Sequence, residues 1–218
     1  SIPPPEPSIK PYNGRTSTYV QPTSQVYAST FYGGCLDGDC IVDVSNGKKP
    51  IYDIKKGDIV IHSMGQSRVK CLVRHDTHDE ITEYAVLCKS DKKCILPLKI
   101  TKWHPVKTDG IFNGQPTFPN DIILFHKKSI TGYFMIEKPK YVYNIVMEDG
   151  DYPWFTVQEI ECVALGHGEK VNTVLAHDYY AEKVIDDLKK LDGWENGFVT
   201  VTQKKVRDPI TSLVTGHS

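Results

Sequence analysis

The sequence lacks three features that would each point to a definite class of protein. It has no long apolar run, so nothing in it predicts a membrane-spanning helix. It does not begin with a charged segment followed by an apolar stretch, so no signal peptide is visible. Its net charge of −1 provides no strong field of either sign to attract the whole molecule to nucleic acid or to a membrane surface.

Cysteine is scarce and poorly spaced for metal binding. The 6 cysteines are too few for a disulfide scaffold in 218 residues, and the absence of a CxxC pair leaves a structural zinc site without support. Cys35 and Cys40 follow two glycines and stand close together. This pair could be a disulfide, a metal clamp, or a nucleophile with a cleavable glycine bond in front of it.

The residues that are plentiful, Val, Ile, Thr and Tyr, favour β structure. Asn46-Gly47 lies between CIVDV and PIYDI and predicts a tight hairpin, because both residues tolerate a positive φ. The other segments with strand character are KKGDIVIHS, RVKCLVRH, TEYAVLC, CILPLKIT, DIILFH, YVYNIVME and WFTVQEIECVAL. So many short strands predict a compact all-β body, barrel-like or sandwich-like.

The two ends of the chain differ from this body. Residues 1 to about 25 are rich in Pro, Ser and Thr and predict a linker or extended arm, and residues 26–32 could add an edge strand. Near the other end, one amphipathic helix is predicted by apolar residues at helical spacing, namely Tyr180, Val184, Leu188 and Leu191. Gly193 can end this helix. We expect its apolar face to pack on the β body, with a partner-binding face as the alternative.

The Gly34–Cys35 peptide bond is a candidate reactive bond. Glycine has no Cβ, so the bond can adopt unusual geometry at low steric cost. The Cys35 thiol could attack the Gly34 carbonyl in an N-to-S acyl shift that gives a thioester. Because a thioester lies above an amide in free energy, the site must strain the bond or trap the product.

Thr101 and His104 have the side chains that such a shift requires. A histidine titrates near neutrality and can protonate the departing amide nitrogen. A Thr hydroxyl three residues earlier can hydrogen-bond the same amide, and Pro105 would help to fix the turn. Taken singly, the same residues could be a small buried cysteine and a structural histidine.

Three motifs in the same order resemble the hedgehog/intein (HINT) superfamily over roughly residues 33–166. They are GCLDGDCIVDVSNGKKPIYDIKKGDIVI, the TxxH motif of Thr101 and His104, and YVYNIVMEDG. WHPV, IECVALGHG and AHDYYAEKVIDDLKKLDGWENGFV are similar to Vint domains, which are HINT domains of proteins that also carry a von Willebrand factor A domain.

The resemblance implies an all-β, horseshoe-like HINT fold with pseudo-two-fold symmetry, followed by a C-terminal extension that contains the helix. Residues 1–34 would form a flexible flanking segment on the substrate side, and residues 35–167 the autoprocessing domain. Residues 168–218 would form the extension and could recognise an adduct or another ligand.

The activity implied is a single-turnover, autocatalytic cleavage of the chain's own upstream protein in cis. Cys35 would attack Gly34 with the help of Thr101 and His104, without a metal ion or an organic cofactor. Water, a thiol or another small nucleophile would then resolve the thioester. We expect a monomer, and the compartment stays open between the cytoplasm and the secretory pathway.

Departures from the family pattern modify this assignment. Val163 and Ala164 stand where inteins carry their final His-Asn pair, so splicing is not expected. SRVKCLV has no acidic residue where hedgehogs activate their sterol, which argues against a sterol acceptor. Asn144, in the place of an intein aspartate, and Cys162, beside the site, are candidates for a second step. A core cysteine is the alternative for Cys162.

The alternative from a different class is a binding module that no longer cuts. Lys204, Lys205 and Arg207 form a basic group in the extension. Other lysines cluster at positions 89, 92, 93, 99, 102 and 107, and at 127, 128, 138 and 140. On one face such groups could bind a sulfated glycan or another polyanion, although a solvated surface also accounts for them. A Cys-His protease that acts on other proteins is a more distant alternative, because nothing around Cys35 resembles the signature of one.

Overall fold

The structure is a computed structural model. It describes residues 34–89, 94, 96–108, 114–125, 130–172, 174–177, 179–203, 205–210 and 214–217, without the side chains of residues 205–207, 214 and 217. The predicted arm and the candidate edge strand at residues 26–32 lie outside these residues.

Short strands dominate the described residues, which confirms the predicted all-β class. In chain order the strands are β1 (Leu36–Asp37), β2 (Ile41–Val44), β3 (Gly47–Pro50), β4 (Ile59–His62), β5 (Gly65–Asp76), β6 (Thr82–Lys89), β7 (Leu98–Thr101), β8 (Val106–Lys107), β9 (Ile130–Glu137), β10 (Tyr141–Met147), β11 (Trp154–Val157), β12 (Ile160–Val163), β13 (Phe198–Val201), β14 (Lys205–Arg207) and β15 (Val214–His217). The α-helices are α1 (Pro119–Phe125) and α2 (Val184–Leu188), and a π-helical turn, Tyr179–Lys183, leads directly into α2.

One sheet of thirteen strands forms the body of the molecule. Its order is β8-β12-β11-β2-β4-β5-β10-β1-β7-β6-β9, with β3 beside β2 and β13 beside β5. Only β14 and β15 pair outside it among the described strands. The main apolar core is built from inward-facing residues of many of these strands and includes Leu36, Val42 and Phe155, each fully buried.

The predicted hairpin is confirmed, with its turn one residue earlier than the Asn-Gly pair suggests. Val44 pairs with Gly47, so Ser45 and Asn46 form the connection between β2 and β3. Gly47 has φ +137° and begins β3. The positive φ that the turn needs is therefore supplied by the glycine after the loop.

The prediction of a strand at DIILFH is wrong, because this segment forms α1. Pro119 suits the first turn of a helix, where its missing N–H leaves no hydrogen bond unmade. Ile122 and Ile123 are both buried, whereas a strand would have sent consecutive residues to opposite faces. The Asn120 N–H donates to the carbonyl of Lys102 at 3.0 Å, which ties the helix to the TxxH segment.

WFTVQEIECVAL, predicted as one strand-forming segment, is divided into the hairpin of β11 and β12. Gln158 and Glu159 connect the two strands with φ +48° and +69°. Tight hairpins of this kind usually carry Asn or Gly at the positions of positive φ. Because neither residue is present, this turn carries no sequence signal.

The extension packs on the β body, as predicted for the apolar face of its helix. Tyr180, Val184 and Leu188 are buried in a second apolar cluster, which also contains Trp103. Strand β13 runs parallel to β5, with Val199 opposite Val73. The residues after 168 thus share a core with the residues before it.

The structure rules out one of the alternatives left open for Cys35 and Cys40, which is a disulfide between them. Cys35 and Cys40 are both buried and neither takes part in a disulfide, whereas Cys88 is disulfide-bonded to Cys94. No group of three or more His, Cys, Asp or Glu residues within the described part of the chain could hold a metal ion. None of the described helices has the length and apolar character needed to cross a membrane.

Candidate active site

Strand pairing brings distant residues to the Gly34–Cys35 bond. The two-residue strand β1 lies between β10 and β7, with Leu36 opposite both Tyr143 and Ile100. One residue back along the same antiparallel registers, Cys35 falls opposite Asn144 on one side and Thr101 on the other. The register of one short strand therefore assembles three of the residues that the sequence singled out.

The amide nitrogen of the candidate bond is held by Thr101. The Cys35 N–H donates to Thr101 Oγ1 at 3.0 Å, and the Thr101 N–H donates to the Cys35 carbonyl at 3.0 Å. Thr101 is buried, so water does not compete for these bonds. The side chain of Thr101 contacts the nitrogen that would leave in an N-to-S acyl shift.

The carbonyl oxygen of the same bond is held by Asn144. Its Nδ2 donates to the Gly34 carbonyl at 3.1 Å. The orientation of the amide is fixed because Oδ1 accepts the Ile145 N–H at 2.8 Å, which leaves only Nδ2 to face Gly34. Asn144 is fully buried. Both polar atoms of one peptide bond are thus bound by side chains.

His104 is held next to this bond in a defined protonation state. Its backbone N–H donates to the Thr101 carbonyl at 3.0 Å, which closes the TxxH turn. Its Nε2 lies 2.7 Å from the Val163 carbonyl, which can only accept, so Nε2 carries the proton. Nδ1 has no hydrogen-bond partner among the described residues. In the neutral ring Nδ1 is therefore an unprotonated base.

Burial keeps the His104 ring neutral. It lowers the pKa of His104 to about 4, opposed by the Val163 carbonyl and the Cys35 backbone, while the nearby His167 lowers it further. At neutral pH the ring can accept a proton at Nδ1 before it donates one.

The environment of the Cys35 thiol was not foreseen from the sequence. Cys35 is 3% exposed and forms a small apolar cluster with Tyr84 of β6 and Val142 of β10. The Tyr84 hydroxyl donates to Asp37 Oδ1 at 3.3 Å. Alternation in TEYAVLC is compatible with an inward Tyr84, but no local pattern tells which strand will lie beside Cys35.

A profile of the Vint family, described as a Hint-domain, matches residues 34–216. The match begins at the glycine whose carbonyl Asn144 binds and spans the TxxH turn and the extension. The chain belongs to the Vint family of Hint domains. No curated protein sequence matches it significantly.

Solved structures similar to this Vint domain include inteins and a bacterial intein-like domain. The Ssp DnaB mini-intein variant M86 is 13% identical, with a TM-score of 0.44 over 61% of this chain and 94% of that chain. A DnaB intein from Synechocystis sp. PCC 6803 is 14% identical, with a TM-score of 0.41 over 60% and 98%. The bacterial intein-like domain from Clostridium thermocellum is 18% identical, with a TM-score of 0.44 over 59% and 97%. Membership of the family rests on the profile.

The structure places Cys162 of the Vint domain apart from Cys35. Cys162 is fully buried in the main apolar core, whereas Cys35 belongs to the cluster with Tyr84. Burial raises the pKa of the Cys162 thiol well above its usual range, and burial likewise raises that of Cys40 to about 12. Both thiols stay protonated at neutral pH, which does not favour Cys162 as a second nucleophile.

A second histidine lies near the site on a loop held by the extension. Leu165 donates its N–H to the Ile145 carbonyl at 3.0 Å, and Gly166 donates to the Tyr180 carbonyl at 3.0 Å. His167 follows, and its Nδ1 accepts the Glu169 N–H at 3.0 Å. Burial lowers the pKa of His167 to about 4. No sequence motif pointed to His167 as a candidate site residue.

The basic groups predicted to bind an anion are only partly described. Lys204 and the side chains of Lys205 and Arg207 lie outside the described residues. Of the lysines elsewhere in the clusters, Lys99 pairs with Glu137 at 2.9 Å and Lys102 pairs with Glu83 at 2.8 Å. The anion site stays a prediction, and these two lysines do not add to it.

Proposed function

We propose that this Vint domain is a single-turnover autoprocessing domain that cleaves its own chain between Gly34 and Cys35. The observation that carries the proposal is that side chains hydrogen-bond both polar atoms of one peptide bond. Thr101 binds its nitrogen and Asn144 binds its oxygen, with the unprotonated Nδ1 of His104 beside them. A bond held for structural reasons alone would not need a buried base next to it.

The first step is an N-to-S acyl shift. The Cys35 sulfur bonds to the Gly34 carbonyl carbon while the thiol proton passes to His104 Nδ1. As the carbon–nitrogen bond breaks, His104 returns this proton to the Cys35 nitrogen, which becomes the free α-amine. The products are a Gly34 thioester and a neutral His104, so atoms and protons balance.

Asn144 acts in this step rather than in the second step to which the sequence analysis assigned it. Its Nδ2 points at the oxygen that acquires negative charge in the tetrahedral intermediate. A preorganised donor in a buried site stabilises such an oxygen far better than water does. Thr101 Oγ1 accepts the Cys35 N–H and keeps that nitrogen oriented.

The second step is attack on the thioester by water or by another small nucleophile. With water, a carbon–oxygen bond replaces the carbon–sulfur bond, the Gly34 carboxylate leaves with the upstream segment, and Cys35 regains its thiol. Splicing does not follow, because Val163 and Ala164 offer no side chain that could cyclise and release the C-terminal side.

Intact mass of the 218-residue chain over time tests this proposal. The wild-type chain should lose residues 1–34, and dithiothreitol or hydroxylamine should accelerate the loss, since both attack thioesters. Cys35→Ala should abolish release, and His104→Ala should slow it strongly. Cys40→Ala is the matched control, because the Cys40 thiol is also buried but its hydrogen bond is to the Lys99 carbonyl. Equal release from the Cys35→Ala chain would rule out the mechanism.

A further inference from the structure

Gly34 has a backbone conformation and a distance to His104 that only glycine can adopt. Its φ is +103°, in the left-handed region that L-residues with a side chain rarely adopt. A Cβ added there would lie 2.6 Å from both Cβ and Nδ1 of His104, and closer still to its Cγ. A side chain at position 34 is therefore excluded for two independent reasons, the backbone conformation and the lack of space beside His104.

His104 has no room to move away from such a side chain. The ring is fully buried and fixed at both ends, by its Nε2 bond to Val163 and its backbone bond to Thr101. Breaking the Nε2 contact would also remove the feature that leaves Nδ1 unprotonated. The ring that moves the proton thus occupies the space a side chain would need.

We propose that the site accepts only glycine as the acyl residue, so that every upstream fragment it releases ends in a C-terminal glycine. This inference rests on the proposed cleavage at Gly34 and adds the specificity of that cleavage. His104 selects the residue by filling the space beside it, in addition to its role in proton transfer. The product class is a glycine thioester, and after hydrolysis a peptide with a glycine carboxylate.

The test compares the first-step rates of Gly34→Ala and Gly150→Ala, measured as the thioester trapped by excess hydroxylamine. Gly150 is the matched control, because its φ is +84° but an added Cβ would meet nothing within 4 Å. Gly34→Ala should slow trapping by at least about 30-fold, because left-handed backbone strain and overlap with the His104 ring both oppose the bound position of residue 34. Gly150→Ala should trap at the wild-type rate, and the trapped wild-type fragment should end in a Gly34 hydroxamate.

The position of residue 34 against the His104 ring can also be tested in a chain that cannot cleave itself. In the Cys35→Ala background, Gly34→Ala should shift the His104 ring resonances by NMR, because alanine cannot sit against the ring. Gly150→Ala should leave them unchanged. Unchanged His104 resonances with Gly34→Ala, or a wild-type trapping rate for that variant, would overturn the glycine requirement. Release that persists in Cys35→Ala would instead overturn the proposed cleavage, and the resonances would still decide the specificity.

Discussion

At the scale of single residues, the proposed chemistry depends on which atom of each side chain carries a proton. His104 Nε2 is protonated because it faces a carbonyl, and the lowered pKa keeps the ring neutral, so Nδ1 is ready to accept. Asn144 presents Nδ2 because its Oδ1 is already used by Ile145. Each functional atom is thus selected by a second hydrogen bond on the other side of the same group.

Substitution of Asn144 tests the donor to the Gly34 oxygen. Asn144→Ala removes the donor and should slow the first step about 10²–10³-fold, the usual effect of losing one oxyanion donor. Asn144→Asp can donate only while its carboxyl is protonated, so its rate should fall as pH rises, unlike that of the wild type. The readout is hydroxylamine trapping between pH 5 and 8. An Asn144→Ala chain as fast as the wild type would exclude this role.

At the scale of elements, the extension supports the TxxH turn. Trp103 lies between Thr101 and His104 in sequence and packs in the same cluster as Tyr180, Leu188 and other residues of the extension. Helix α1 is tied to the neighbouring Lys102 carbonyl. The TxxH turn is therefore held from outside by elements that follow it in the chain.

Truncation of a buried side chain in the extension should weaken the whole fold. Leu188 is 1% exposed, so Leu188→Ala should lower the free energy of unfolding by about 2–5 kcal/mol through lost burial and the cavity left behind. Urea unfolding in the uncleaved Cys35→Ala background measures this on a single species. Lys189→Ala, at the exposed next position, should change it by less than about 0.5 kcal/mol. Equal stability of the two variants would mean that the extension does not contribute to the core.

The elements also show which parts of the fold can be predicted from sequence. The hairpin of β2 and β3 depends on neighbouring residues, so local pattern was sufficient. The amphipathic segment was also located correctly, but it begins as a π-helical turn, and α2 ends at Leu188 rather than near Gly193. DIILFH is short and apolar, and only its contact with the sheet decides between helix and strand. Cys35, Thr101 and His104 were selected by motif, but Tyr84 and the contact of Asn144 with Gly34 depend on the non-local register of β1.

At the scale of the whole molecule, the candidate bond lies inside the fold that would cut it. Gly34 and Cys35 are both buried, and their hydrogen bonds are to residues of the same chain. A second chain would have to displace this segment before it could present its own bond. The geometry therefore favours cleavage within one molecule over cleavage between molecules.

Kinetics at different protein concentrations test this last point. Release of residues 1–34 should be first order, with a rate constant unchanged over a 100-fold range of concentration, because each molecule holds its own substrate. A ¹⁵N-labelled Cys35→Ala chain mixed with an equal amount of wild-type chain should stay intact by mass while the wild type is cleaved. Cleavage of the labelled chain, or a rate that rises with concentration, would mean that the domain acts on other molecules as a protease does.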